Sequence, residues 1–186
     1  MSVQVDKWFF TVDEYHRMSE AGILSESDRV ELIEGEIVKM SPIGKHHAAC
    51  VKRLNSVLNR RAGDYAIVSV QDPIRLDDYS EPEPDIALLN PRDDFYAQEL
   101  PTVKDVLLVI EVADSSVEYD RDIKLPLYAK AGIPETWIVN VRDDRIETYS
   151  QPANGVYKRA RFTNRSEAIS PEVLPDLVIS VKEILG

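Results

Sequence analysis

The chain has 186 residues, 44% hydrophobic and 30% charged, an ordinary balance for a globular fold with one substantial core, so a single domain over residues 1–186 is expected. A net charge of −11 argues against a non-specific nucleic-acid coat, which depends on cations that neutralise phosphate, but leaves room for acids that hold a divalent cation and for a local basic patch. With Cys50 as the only cysteine, neither an internal disulfide nor a cysteine-based zinc site can form.

No run approaches the roughly 18 apolar residues needed to cross a bilayer. The stretch MSVQVDKWFF lacks the basic region, apolar stretch and cleavage site of a secretory leader, so a cytoplasmic location without membrane contact is expected. Residues 11–14 (TVDE) have the form of a capping box and predict a helix to about Ala21, stopped by Gly22. In RVELIEGEIVKMSP, apolar and polar residues alternate on either side of Glu34 and Gly35, which predicts a β-hairpin. Glu31 then points to the face opposite Val30 and Leu32.

Pro42 and Gly44 separate that hairpin from a helix predicted over 46–61. At about 100° per residue, Cys50, Leu54, Val57 and Leu58 share one face and Lys45, Lys52, Arg53 and Arg60 another. His47 falls on the apolar side, where it reads either as a packed core histidine or as a first-turn group reaching a site at the helix end. The basic face reads as a solvated one.

Residues 65–70 (YAIVSV) and the following QDPIRL predict strands, with Pro73 at an edge or bend. Pro82 and Pro84 hold the approach to Asp85 extended, and IALL follows as a strand. Residues 91–101 predict a surface loop. VLLVIEV reads as a central strand buried on both faces, in which Glu111 is costly unless something pairs with it. In DRDIKLPLYAKAG, Pro126 belongs in a first turn, so the helix is predicted to start near Lys124 and to end at Gly132. ETWIVNV and DRIETYS predict a hairpin across 142–144, residues 156–162 a further strand, and residues 180–185 a last helical turn capped by Ser180 and Glu183. The core order is helix, three strands, helix, strand, a mixed α/β (α+β) plan that can set strand ends side by side.

Asp85 and Glu111, each at the edge of an apolar strand, with Lys124 soon after, have the chemistry of a metal-dependent hydrolase. Hard carboxylate oxygens suit Mg²⁺ or Mn²⁺, and a lysine can orient a water or offset charge in the transition state. The bland alternatives are a turn residue after proline for Asp85, a strand-end ion pair for Glu111, and a helix-surface partner of Asp120 for Lys124.

The series VELIEGEIVKMSP, KHHAACVKRL, QDPIRL, EPEPDIALL, LLVIEVADSS and DRDIKLPLYAKAGIPETWIV resembles the Uma2 family, also called DUF820. This is a bacterial group, abundant in cyanobacteria, within the PD-(D/E)XK restriction-endonuclease-like superfamily. The resemblance implies an αβββαβ core with an N-terminal helix and hairpin and extra C-terminal strands. It implies a Mg²⁺- or Mn²⁺-dependent endonuclease acting on nucleic acid, DNA above all. Asp85 and Glu111 would be the metal-binding acids, and Lys124 would replace the strand lysine, since Ala113 stands two residues after Glu111. Glu31, His47 and Gln71 fall on motif positions and would support the site. A homodimer is compatible with the resemblance and established by no feature of the chain. A catalytically inactive nucleic-acid-binding or interaction module on the same fold is the alternative, and hydrolysis of another phosphoester a third.

Overall fold

The computed structural model describes residues 6–25 and 27–186, so the leader reading on MSVQVDKWFF lies partly outside the described residues. Helix α1 (Val12–Glu20) opens on the expected capping box: Thr11 Oγ1 accepts the Glu14 N–H and the Glu14 carboxylate accepts the Thr11 N–H. Strands β1 (Val30–Ile33) and β2 (Glu36–Lys39) form the expected antiparallel hairpin. Glu34 and Gly35 have φ of 47° and 80°, the left-handed pair that a tight hairpin turn requires. A Cβ on Gly35 would stand 2.6 Å from the Phe9 Cβ, so the turn has room only for glycine.

Helix α2 (Lys45–Ala62) follows, then a six-stranded sheet in chain order: β3 (Ile67–Ser69), β4 (Ile86–Leu89), β5 (Val106–Ala113), β6 (Glu135–Asn140), β7 (Arg145–Ala153) and β8 (Val156–Asn164). Only β5 and β6 are parallel within it, because only they are joined by a helical crossover. That crossover comprises α3 (Val117–Tyr119), a π-turn (Asp120–Lys124) and α4 (Leu125–Ala131). The short pair β9 (Ala168–Ile169) and β10 (Ile179–Ser180) leads into α5 (Val181–Leu185), whose Ser180–Glu183 capping box is present as expected. The order α2, β3, β4, β5, crossover helix, β6 is the predicted αβββαβ core, with α1 and the hairpin before it and two strands extending the sheet after it.

The sheet is covered on both faces. Cys50, Leu54 and Leu58 of α2 and Val181 and Ile184 of α5 pack on Ile86, Leu88, Leu108, Ile110 and Val112. On the other face Leu127 and Tyr128 of α4 pack with Ala87 and Val109. The two-residue period of β5 therefore turns Val112 toward α2 and Glu111 toward α4. No helix among the described residues is long and apolar enough to cross a membrane.

One local expectation fails and a second holds in part. QDPIRL is not a strand: Gln71 turns the chain at φ 56°, Pro73 has no N–H to donate, and pairing shrinks to one bridge from Arg75 to Thr102. The helical crossover begins already at Val117, so the expected start near Lys124 holds only for α4, which carries Pro126 in its first turn. The π-turn absorbs the proline: the Leu125 N–H bonds the Asp120 carbonyl five residues back, so the N–H missing from Pro126 falls where the bonding register is already changing.

Candidate active site

Glu31, His47, Gln71, Asp85, Glu111 and Lys124 come from six different segments and meet at one end of the sheet. Ile86 pairs with Ile110, so the next step of the register sets Asp85 beside Glu111. The Asp85 N–H points at Glu111 Oε2 across 3.5 Å. The Asp85 carboxylate is held by three donors. Oδ2 accepts the Val112 N–H and His47 Nε2, each at 2.9 Å, and Oδ1 accepts the Gln71 amide at 3.1 Å. A carboxylate can only accept, so His47 carries its proton on Nε2; its buried Nδ1 has no partner among the described residues. Of the two readings of His47, the one that reaches a site at the helix end describes its contact. Gln71 also gives its own N–H to the Asp85 carbonyl at 3.2 Å, and its left-handed backbone makes both contacts from one residue.

Lys124, 4% exposed, closes the other side. Its ammonium lies 3.0 Å from Glu31 Oε2 and 3.1 Å from Glu111 Oε1. Tyr128 donates to the same Glu111 oxygen at 2.6 Å, and the Glu83 N–H reaches Glu31 Oε2 at 3.2 Å. The helix that carries Lys124 is tied to the sheet through Arg121, whose guanidinium grips the fully buried Glu147 of β7 together with Arg145 and Tyr149.

Asp120 was read from sequence only as a surface partner of Lys124. In the fold it is 5% exposed, lines the cleft, and accepts the Ser116 hydroxyl at 2.8 Å. Ser116, Asp120, Lys124 and Tyr128 recur every fourth residue, so the spacing that puts all four on one helical face stands in the sequence. It went unused because a helix was expected only from Lys124 onward.

Three buried acids, Glu31, Glu111 and Asp120, surround a single ammonium, and Asp85 stands beside Glu111. Burial pushes the Glu111 carboxyl up to about 8, with Asp120 and Asp85 adding to the rise and Lys124 opposing it. Burial likewise lifts Asp120 to about 6 against the Ser116 hydrogen bond. For Lys124 burial works against the charge, yet Glu111, Glu31 and Asp120 outweigh it and hold the ammonium well above its ordinary range. The hydrogen bond to Asp85 raises His47 against the opposing effect of burial.

These groups border an open cleft of ≈ 510 Å³, with Arg29 and Lys39 on its wall and Gly44, at the start of α2, on its rim. Among the described residues no three His, Cys, Asp or Glu side chains already form a coordination cage. The donor chemistry nevertheless fits a hard divalent cation. Acid charge exceeds the one ammonium that offsets it, Asp85 is pre-oriented, and Glu111 Oε2 has only a long backbone contact.

An αβββαβ core that sets two acids from adjacent strands and a lysine into a cleft at the sheet's end defines a restriction-endonuclease-like fold. The chain belongs to the Uma2 family, whose model, described as "putative restriction endonuclease", matches residues 12–182. In fold it is similar to the crystal structure of a "putative nuclease belonging to DUF820" from Anabaena variabilis ATCC 29413. The two are 17% identical, with a TM-score of 0.73 over 95% of this chain and 97% of that one. No curated relative matches.

Proposed function

We propose that the protein is a cytoplasmic endonuclease that hydrolyses phosphodiester bonds of DNA with Mg²⁺ or Mn²⁺. The observation that carries this reading is the meeting of Asp85, Glu111 and Lys124 in one open cleft of a Uma2-family chain. A divalent cation held by Asp85 and Glu111 supplies the charge neutralisation on phosphate that hydrolysis requires. Gln71, His47 and the Val112 N–H keep Asp85 in the orientation that such holding needs. Lys124 stays an ammonium, so it acts as a donor that orients the attacking water and offsets developing charge, and not as the base. Asp120, with a pKa near neutrality and a place on the cleft wall, is the carboxylate suited to accept the water's proton.

Plasmid cleavage in Mg²⁺ or Mn²⁺ tests the proposal. The wild-type chain is expected to nick or linearise supercoiled DNA, and Asp85→Asn, Glu111→Gln and Lys124→Met to lose at least about 100-fold in rate. Equal cleavage by all four chains, or by none, sinks it.

One observation favours a second reading, a non-catalytic module on this fold. The Lys124 ammonium already bridges Glu31 and Glu111, a role that a structural ion pair would also explain. Calorimetric titration with Mn²⁺ separates the two: heat of binding abolished by Glu111→Gln supports the enzyme, and its absence in the wild-type chain supports the module.

A further inference from the structure

We propose that the outer face of α2 is the track on which the phosphate backbone of duplex nucleic acid lies as it enters the cleft, an inference that rests on the hydrolytic reading above. In a chain with 33 acids against 22 lysines and arginines, the 18 residues of α2 include five cations and no acid. Lys45, Lys52 and Arg60 share its exposed face, and none of them makes an ion pair among the described residues, although Glu183 of α5 stands close enough to Arg60 to offset part of its charge. On β8, the other cation-rich element, Lys158 is likewise unpaired among the described residues, but Arg159 is bridged to Glu172 at 3.1 Å and Arg161 to Glu167 at 3.9 Å. A cation already matched to a carboxylate has little field left for a polyanion, whereas an unmatched one keeps its full attraction.

Position gives the stripe its direction. α2 starts on the rim of the cleft at Gly44, and His47 in its first turn bonds Asp85. At 1.5 Å per residue the three cations stand about 10 and 12 Å apart, so together they span several phosphates leading away from the acids. The cleft itself is lined by Glu31, Glu83, Asp85, Glu111 and Asp120 and repels a phosphodiester. Cations beside it add to the attraction that Arg29, Lys39 and Lys124 alone supply within the cleft. An anionic bilayer is the other partner a basic helix can serve, but interfacial helices insert an apolar face. The apolar face of α2, with Leu54 and Leu58 at 0% exposure, is spent in the core.

The test uses the full chain and a labelled duplex of about 20 base pairs, with binding followed by fluorescence anisotropy between roughly 50 and 200 mM salt, in Mg²⁺ and in EDTA. The triple variant Lys45→Gln, Lys52→Gln, Arg60→Gln is expected to bind about tenfold or more weakly near 0.1 M salt and to lower the salt slope by about 2 to 3. The control double Arg159→Gln, Arg161→Gln on β8 is expected to bind as the wild type does; all five side chains are exposed, so folding, checked by circular dichroism, should survive both sets. Unchanged binding by the α2 triple overturns the proposal. So does a wild-type chain that binds no duplex in either buffer, or one that binds phosphatidylglycerol–phosphatidylcholine vesicles instead. Duplex binding lost with the α2 cations, in a chain that leaves plasmid intact, would keep the track and remove the hydrolytic reading.

Discussion

Lys124 meets Glu111 from the helix that follows β5, its ammonium 3.1 Å from Oε1, while the strand position two residues beyond Glu111 is the wholly buried Ala113. A lysine at position 113 would leave Glu111 along the strand. Lys124 instead approaches across the sheet face and reaches Glu31 at the same time, so its placement depends on the docking of the crossover helix.

Removing that ammonium should therefore affect stability as well as rate. Lys124→Met leaves Glu31 and Glu111 without their shared cation and is expected to cost about 3 kcal/mol. This is the lower end for breaking a buried pair, because Glu111 can stay protonated. Urea denaturation at neutral pH measures it, and a loss below about 1 kcal/mol would mean that water already screens the cluster.

The raised carboxyls set a pH dependence with a definite sign. Burial pushes the Asp120 carboxyl up to about 6 in the folded chain from its ordinary 3.8, so the folded state holds the extra proton and stability falls as pH rises from about 4 to about 6. Glu111 acts in the same direction up to about 8. Asp120→Asn is expected to remove its share, on the order of 3 kcal/mol at most, and to flatten the profile over that window in denaturation curves taken at several pH values. Added Mg²⁺ should stabilise the wild-type chain more at pH 8 than at pH 5.

The three donors on Asp85 bear on cation affinity. His47→Ala leaves Oδ2 with the Val112 N–H alone and Gln71→Ala leaves Oδ1 without its donor, and each is expected to weaken Mn²⁺ binding by roughly tenfold in calorimetry. Unchanged affinity in both would place the cation away from Asp85.

Glu147 should be a costly single position in the fold. It is fully buried and accepts from Arg121, Arg145 and Tyr149; Arg145 keeps Asp143 as a second partner and both guanidinium groups reach solvent, so Glu147→Ala is expected to cost roughly 2–3 kcal/mol in chemical denaturation, less than breaking a wholly buried pair. Glu147→Gln, which keeps acceptor oxygen but not charge, should cost less.

Much of this architecture is local and was legible from residue order alone. The capping boxes at Thr11 and Ser180, the turn at Glu34 and Gly35, the apolar face of α2 and the stop at Gly132 each depend on neighbours within a few positions. The candidate acids and lysine were legible too, because a charged residue inside or beside an apolar strand needs a partner. QDPIRL misled because its apolar pattern suits a strand, whereas the hydrogen bonds from Gln71 to Asp85 favour a left-handed turn that no local preference announces. Asp120 falls outside a helix predicted only from near Lys124, whereas the helical crossover starts at Val117 and runs through a π-turn that brings Asp120 onto the same face as Lys124.

The sequence by itself determined the elements, their order and the chemical types available to the site, since these follow from periodicity, capping and side-chain chemistry. Only the tertiary structure decided that six segments spread from Glu31 to Lys124 meet at one end of the sheet, five of them lining one cleft. It also decided that one ammonium is surrounded by three acids there and that burial lifts Glu111 and Asp120 toward neutrality. Those outcomes depend on strand register, on the docking of the crossover helix and on the water excluded between them, and none of these is a property of neighbouring residues in the chain.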